Sequence, residues 1–372
     1  MILRSLKVRG FRNLGDVELE FHDRLNLIVG DNGQGKSSLL ETIYFLGTTK
    51  SFRTIHVGNL AAFDGEGFFI EGRLRSDEVE KTLSASYRSE DRRKETSINE
   101  RKATLREFVD QMPLIAYSAS RLDVVRGSPD DRRRFLDRGL ASLRPSYLHD
   151  LSRYGQTLRQ RNALLREIAE GKAPVASLEP WDHEWTITAA PVVQQRAAYA
   201  RDLTERFQEI VQAYRYPLEQ LVISYSPSGL SASADNGIDT LRAVRRQEIR
   251  AGFGLIGPHR DDLALVLRNR PAGEVLSSGE TKMAVLFLKM AKISLFSETR
   301  ARLPIFLLDD VDAELDLGII ERLLDDLKDR AQVFATSAKG SIFRAMDVGA
   351  FRKYTVLAGG VERVESGGSN QD

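Results

Sequence analysis

The sequence predicts an α/β fold, with a mostly parallel core, an antiparallel β region beside it, and a helical lobe inserted between the two halves of the core. Three observations carry that prediction. A short apolar run, Leu25-Asn26-Leu27-Ile28-Val29, leads into Gly30-Asp31-Asn32-Gly33-Gln34-Gly35-Lys36-Ser37, and Leu39, Leu40, Ile43 and Leu46 follow at helical spacing, which reads as strand, glycine-rich loop and helix. Two heptad-like apolar seams occupy the middle of the chain. Beyond them, apolar strand patterns alternate with helical ones again, at residues 263–267, 304–310 and 332–336.

The bulk composition sets limits on that picture. A chain of 372 residues exceeds what one core usually supports, about 250–300 residues, so more than one compact part is expected. Hydrophobic residues at 42% and charged residues at 29% are ordinary for a globular protein. No cysteine is present, which removes disulfides and thiolate metal sites and makes a reducing cytoplasm the expected compartment. Arg4 and Lys7 come too early for a secretory apolar core, and no apolar run is long enough to span a bilayer, so no membrane association is expected. With 54 basic residues against 53 acidic ones, contact with nucleic acid would have to come from a local patch.

In chain order, residues 1–30 read as three strands; Asp16-Val17-Glu18-Leu19-Glu20-Phe21 alternates apolar residues with carboxylates, as a half-exposed strand does. After the loop's helix and Lys50-Ser51-Phe52-Arg53-Thr54, the alternating stretches 68–74 and 83–87 suggest the antiparallel region. Residues 88–106 are dense in charge and read as a solvated hairpin, with a nucleic-acid backbone contact as the alternative. Ser128-Pro129-Asp130-Asp131 starts a helix with a serine cap, proline at the first position and an acid three residues after the cap, and runs into Arg132-Arg133-Arg134.

Leu151, Leu158 and Leu165 then fall at seven-residue steps with Tyr154 and Ile168 on companion positions, until Gly171-Lys172-Ala173-Pro174 interrupts them. The second seam runs through Trp185, Ala189, Val192, Tyr199, Leu203 and Ile210, so the two helices read as an antiparallel hairpin. Arg161, Arg196 and Arg206 break the seams and are expected to reach solvent along their apolar stems. This places the lobe at 119–250, between an N-terminal part of the core at 1–118 and a C-terminal part at 251–365. After a strand at 221–225 and a Ser/Gly-rich loop at 227–237, the chain is expected to rejoin the first part, with Gly257-Pro258-His259-Arg260-Asp261-Asp262 leading into the strand 263–267. Residues 366–372 read as a disordered tail.

Gly, four residues, then Gly-Lys-Ser is the pattern of a phosphate-binding loop. Between a strand and a helix, its backbone N–H groups and the positive helix end converge where an anion can sit. Gly30, Asp31, Asn32, Gly33, Gln34, Gly35, Lys36, Ser37 and Ser38 are therefore the candidate ATP-binding residues, with Lys36 bridging the outer phosphates and the Ser37 hydroxyl holding Mg²⁺. Asp309, at the end of an apolar strand expected beside the loop, is the candidate Mg²⁺-side carboxylate. Asp310 follows it, faces elsewhere because strand side chains alternate, and is the candidate for polarising the attacking water.

Leu276-Ser277-Ser278-Gly279-Glu280 is similar to the Leu-Ser-x-Gly-Gln signature of the ABC-type ATPases, and opens a long helix in which Met283, Leu286, Phe287, Met290 and Ile293 are apolar. Ser277 and the Gly279 N–H could grip a γ-phosphate with help from the helix end. In that superfamily the signature of one subunit closes over the nucleotide of the other, which implies an ATP-dependent homodimer with composite sites. The fold class thus becomes an ABC-type P-loop ATPase head with an inserted, short coiled-coil-like lobe. About 240 residues separate Lys36 from Ser277, a span that favours the chromosome-maintenance and DNA-repair branch over the transporters.

Gly10-Phe11-Arg12-Asn13-Leu14, the loop with Leu39-Leu40-Glu41 after it, Lys50-Ser51-Phe52-Arg53-Thr54, Gly127-Ser128-Pro129 with Arg132-Arg133-Arg134-Phe135-Leu136-Asp137, Gly257-Pro258-His259-Arg260-Asp261-Asp262, and Leu307-Leu308-Asp309-Asp310 with Glu314-Leu315-Asp316 together resemble the RecF family of bacterial recombination mediators. The resemblance implies a weak DNA-stimulated ATPase that dimerises on ATP, binds gapped DNA and acts with RecR and RecO to load the strand-exchange protein, with parts in replication and SOS induction. Ser37 stands where that family usually has threonine, Glu280 and Lys282 depart from its signature, and Tyr117-Ser118-Ala119 lacks an expected proline. The alternatives are an ATPase subunit coupled to a membrane transporter, which the heptad lobe disfavours, or to a nuclease, for which no second acidic cluster follows residue 316. Arg12, Arg53, Arg132, Arg133 and Arg134 are candidate DNA contacts, and His259 with Arg260 is read as structural or sensing.

Overall fold

The computed structural model describes residues 1–372 apart from 64, 77–78, 119–120, 231–236, 301, 313–315, 340–349 and 368–372. Its elements in order are β1 (Ile2–Arg9), β2 (Val17–Glu20), β3 (Leu25–Val29), α1 (Lys36–Thr48), β4 (Gly67–Ser76), β5 (Val79–Arg88), β6 (Arg93–Ile98), β7 (Arg101–Lys102), α2 (Leu105–Asp110), β8 (Leu114–Ser118), α3 (Asp123–Arg126), α4 (Pro129–Leu143), α5 (Tyr147–Ala169), α6 (Glu179–Tyr214) and β9 (Leu221–Ser226). They continue with α7 (Gly237–Ala251), β10 (Asp262–Leu267), β11 (Arg270–Pro271), α8 (Ala272–Val275), α9 (Ser278–Arg300), β12 (Ile305–Asp309), α10 (Leu317–Lys328), β13 (Gln332–Ser337), β14 (Phe351–Leu357) and β15 (Gly360–Gly367). The chain divides into two compact units, residues 1–121 with 296–372, and residues 122–295. Among the described residues, no helix is long and apolar enough to cross a membrane.

The first unit holds two six-stranded sheets. One is antiparallel, in the order β2-β1-β4-β5-β6-β7. Its charged hairpin turns at Asn99 and Glu100, both left-handed at φ 48° and 65°, the conformation a two-residue hairpin loop needs. The other, β15-β14-β3-β13-β12-β8, is parallel except for β15. Its central strands β3, β12 and β13 are buried at every position, hence their mostly apolar sequences. One core draws on both sheets and on α1, with Phe45 of α1 edge-on to Phe68 of β4 and Phe21 edge-on to Phe334 of β13.

Two expectations about this unit change. The strand that ends in Asp309 is not the neighbour of β3, because β13 is inserted between them. Ser366 and Gly367, expected in a disordered tail, belong to β15, which extends to Gly367 by pairing with Phe351; residues 368–372 lie outside the described residues, as do Ala119, Glu314, Leu315 and most of the 227–237 loop.

In the second unit, the Ser128 cap forms a full capping box, Ser128 and Asp131 each accepting from the other's backbone N–H. α5 and α6 pack along each other, and α6 runs for 36 residues with Trp185, Ala189, Val192, Tyr199, Leu203 and Ile210 buried. In α5 the inward positions are Tyr154, Thr157, Arg161, Leu165 and Ile168, while Leu151 and Leu158 are half-buried. Arg161 and Arg196 therefore do not reach solvent. The Arg161 Nε donates to Asp182 at 2.8 Å and its Nη2 to Glu248 at 2.6 Å; Asp182 is shared with Arg245 at 2.8 Å. Arg196 Nε donates to Asp137 at 2.9 Å and its Nη1 to the Pro258 carbonyl at 2.6 Å. Fixed carboxylates and a carbonyl replace the water these guanidiniums lose. Arg206 is half-exposed and pairs with Glu209 on its own helix.

The chain also does not rejoin the first unit after residue 250. β10 pairs with β9, and β11 with β10, in a separate antiparallel sheet. The units part at 121/122 and 295/296, where the sequence suggests 118/119 and 250/251, because β9–β10 pairing keeps residues 251–295 with the lobe.

Candidate nucleotide site

The parallel register brings several loop ends together. Val29 of β3 lies opposite Ser337 of β13, Leu308 of β12 opposite Ala335, and Asp309 opposite Ser118 of β8, so the glycine loop, Asp309 and Thr336 all sit at the carboxyl edge of one sheet, where α/β folds place ligands. Gly30 has φ 156°, and a Cβ there would stand 2.3 Å from the Val356 carbonyl oxygen, so only glycine fits. Gly35 caps α1 in a left-handed conformation at φ 119°, and the first turn of α1 carries no acid, which leaves the positive helix end unneutralised.

Lys36 is almost fully buried and folds back over the loop, its Nζ donating to the Gly30 and Asp31 carbonyls at 2.6 and 3.0 Å. Ser37 Oγ donates to Asp309 Oδ1 at 2.9 Å. Asp31, Asn32 and Gly33 form the exposed crest of the loop. Ser38 turns its hydroxyl to Asn13 Oδ1 at 2.7 Å while Asn13 Nδ2 donates to the Gly33 carbonyl at 3.2 Å, and Gln34 accepts from Ala358 N at 2.6 Å. A glycine cradle, a buried ammonium resting on the loop and a serine hydroxyl beside a carboxylate match the donor set that a nucleotide triphosphate and Mg²⁺ require.

Asp309 is buried, and burial pushes its carboxyl above the usual range, opposed by the Ser37 hydrogen bond and reinforced by the charge of Asp310. Asp310 is left-handed at φ 53° and its N–H donates to Thr336 Oγ1 at 2.8 Å.

Three contributors to this site had no role assigned from sequence: Asn13 and Glu41, which entered only as landmarks of the family resemblance, and Thr336. Glu41, one helical turn into α1 and wholly buried, accepts from Arg12 at 3.0 Å and from Ser51, whose Oγ in turn accepts from Arg53 N and Thr54 N, both at 2.8 Å. The segments around Arg12 and Ser51 are thereby tied to the loop's helix. A carboxylate four positions beyond a phosphate-loop serine, inside an apolar helix, was the available signal; Thr336 gave none, because its meaning depends on strand order.

The signature segment belongs to the second unit. Ser277 N donates to Glu280 Oε2 at 2.8 Å and Glu280 N to Ser277 Oγ at 3.2 Å, a reciprocal cap on α9. Hydrogen bonding by the Ser277 side chain, and next by the Ser277 N–H, holds the Glu280 carboxyl below its usual range. A Cβ at Gly279 would meet nothing within 4 Å, so that N-terminal face is open.

Most of the candidate DNA arginines are committed. Arg12 pairs with Glu41, Arg132 makes a fork to Asp262 at 2.7 Å on both arms, and Arg133 donates to the Asp261 carbonyl and Asp130; Arg134 is exposed with only a surface pair to Asp131 at 3.3 Å, and Arg53 is exposed, its charge felt by Asp309. The 257–262 motif is internal to the lobe. His259 Nδ1 meets the Tyr154 hydroxyl at 2.5 Å and its Nε2 the Gly254 carbonyl at 2.9 Å, while buried Asp261 accepts from Ser228 N at 2.7 Å and from Tyr225.

A model of the RecF/RecN/SMC N terminal domain matches residues 2–355. The chain is 33% identical to the DNA replication and repair protein RecF of Bacillus subtilis over 347 residues, covering 91% of this chain and 93% of that protein. Against the protein of the same name from Microcystis aeruginosa it is 34% identical over 373 residues, with 96% and 99% covered. A solved structure of the recombination mediator protein RecF with ATP in the RecFOR pathway matches with a TM-score of 0.85 at 28% identity over 98% of both chains. An Smc head bound to the C-winged helix domain of ScpA, at a TM-score of 0.54 and 17% identity, shares the fold. The architecture is that of an ABC-type ATPase head, and with relatives matched along nearly their whole length, this chain belongs to the RecF family.

Proposed function

We propose that this chain is an ATP-dependent DNA-binding ATPase of recombinational repair, which dimerises on ATP and acts with RecR and RecO at single-strand gaps to help load the recombinase, with parts in replication and SOS induction. The observation that carries this reading is the meeting of Ser37 and Asp309 at 2.9 Å, 272 residues apart in sequence, at the mouth of the glycine cradle. The loop N–H groups from Gly30 to Ser38 and Lys36 would hold the triphosphate, and Ser37 with Asp309 would hold Mg²⁺. When bound, Mg²⁺ offsets the negative charge that builds on the phosphoryl oxygens. Asp310 accepts a hydrogen bond from the attacking water and orients it. Ser277 and Gly279 of a second copy cap the γ-phosphate, so hydrolysis is weak until closure and DNA contact complete the site.

DNA contact falls on arginines that have no carboxylate fork. On α7, Arg242, Arg246 and Arg250 are exposed and lie four residues apart on one helix face, Arg242 having only a surface pair with Asp239. Their charges line up to meet a phosphate backbone.

Light scattering with saturating ATP and Mg²⁺ tests the core of this reading. The wild type is expected to dimerise, Lys36→Met to lose nucleotide binding, and Ser277→Arg to bind nucleotide without dimerising. A wild type that stays monomeric overturns the reading.

A further inference from the structure

Thr336, at the end of β13, is fully buried between the strand that leads into the glycine loop and the strand that ends in Asp309. One hydroxyl there does two things. It donates to Asp309 Oδ1 at 3.0 Å, the same oxygen that accepts from Ser37, and it accepts from the Asp310 N–H at 2.8 Å. Because the Asp310 amide can only donate, the hydroxyl proton is directed to Asp309 and its lone pair to Asp310.

Both consequences concern the paired acids. Asp309 has one carboxylate oxygen engaged by two hydroxyls, which fixes its rotamer and leaves Oδ2 to face other partners. Asp310 has φ 53°, a left-handed conformation that costs a non-glycine residue and persists only where its surroundings hold it. Thr336 supplies the acceptor that holds it. In register, Thr336 lies opposite Ile28, just before the loop, so β13 is the element able to touch the loop strand and the acidic strand at once.

We infer that Thr336 is the positioning residue of this site: its hydroxyl locks the Asp309 carboxylate and keeps the Asp310 backbone left-handed, and so sets the direction in which the Asp310 carboxylate is presented. This rests on the function proposed above, in which Asp309 and Asp310 serve metal and water.

Thr336→Val keeps the shape and removes the hydroxyl; Thr336→Ser keeps the hydroxyl. Each is compared with wild type and Asp310→Asn for ATP turnover, binding of a fluorescent ATP analogue, and, in the nucleotide-free protein, hydrogen exchange of the peptide spanning residues 305–312. Thr336→Val is expected to lower kcat by about 10- to 100-fold, the range seen when a group that orients a metal ligand is removed, with nucleotide affinity changed less than about threefold, and to speed exchange at the Asp310 amide. Thr336→Ser is expected to restore both. Wild-type exchange in Thr336→Val, or a Thr336→Ser variant as slow in turnover as Thr336→Val, overturns the inference; if Thr336→Val does not fold, a Thr336→Ser variant with turnover well below wild type overturns it. Full turnover by Asp310→Asn strikes the role given to Asp310 instead, while the exchange rate still decides what Thr336 does.

Discussion

Arg161 of α5 donates to Glu248 of α7 at 2.6 Å with both side chains entirely shielded from water. With Asp182 of α6 on its other arm, Arg161 ties three helices of the lobe together through charge. Leaving a buried charge without its partner is far more costly than replacing the whole group by apolar residues of similar size. Glu248→Ala is therefore expected to lower stability by about 3–5 kcal/mol in urea titrations, whereas removing every charge of the group together, with Arg161→Met, Arg245→Met, Asp182→Leu and Glu248→Leu, should come out much nearer to wild type. A single variant as stable as the wild type would show that water reaches this group.

The lobe's response to acid follows from His259. Burial lowers its pKa below the ordinary 6.5, and the Tyr154 hydroxyl, Arg260, Arg133 and Asp261 surround it. Below that value the unfolded chain takes up a proton that the native histidine refuses, so stability should fall as pH drops through 6.5 and level off once the depressed native value is passed. His22 of the first unit, also lowered by burial, gives that unit a dependence of the same sign. Urea midpoints between about pH 7.5 and 5, a window that spans the ordinary histidine value, should decline less for His259→Gln than for wild type; parallel curves would remove His259 from the account.

Glu280 places a carboxylate on the helix end proposed to face a γ-phosphate. Glutamine can complete the same reciprocal cap with Ser277 without the charge. Glu280→Gln should therefore lower the ATP concentration needed for half-maximal dimerisation by about two- to fivefold, the size of one charge at a helix terminus. Unchanged or weaker dimerisation in light scattering would mean that the carboxylate has a favourable partner in the closed state.

If α7 meets the DNA backbone, changing Arg242, Arg246 and Arg250 to Glu should weaken binding to gapped duplex without regard to sequence. It should also flatten the dependence of log affinity on log salt by about two to three units, near 0.9 for each phosphate that is no longer neutralised. Circular dichroism would confirm the fold, because none of the three is buried. The same salt slope in wild type and variant would move the DNA-binding surface elsewhere.

The ATPase head was legible wherever function is local in sequence. Gly30 to Ser37 is a single loop whose glycines and lysine are dictated by backbone sterics and one charge, and the paired acids close an apolar strand. The cap at Ser128 is equally local, since it is decided within about four residues, and so is the hairpin read over residues 88–106, although its turn at Asn99 and Glu100 emerged only in the structure. The seams of α5 and α6 could be read as helices, yet the fate of their arginines could not. Arg161 and Arg196 find their partners 21 to 87 positions away, and a long cationic side chain looks the same in sequence whether water or a carboxylate receives it.

Strand order was the other quantity decided only in three dimensions. Periodicity says that residues 304–310 and 332–336 are buried strands; it does not say that β13 inserts between the loop strand and Asp309, or that β10 turns away to pair with β9. The chain by itself determined the fold class, the phosphate loop and the acidic pair, because those depend on residue types at short spacing. The tertiary structure decided which hydroxyl touches which carboxylate, which arginines are spent inside and which stay exposed, because hydrogen bonds and desolvation are settled by neighbours in space rather than in sequence.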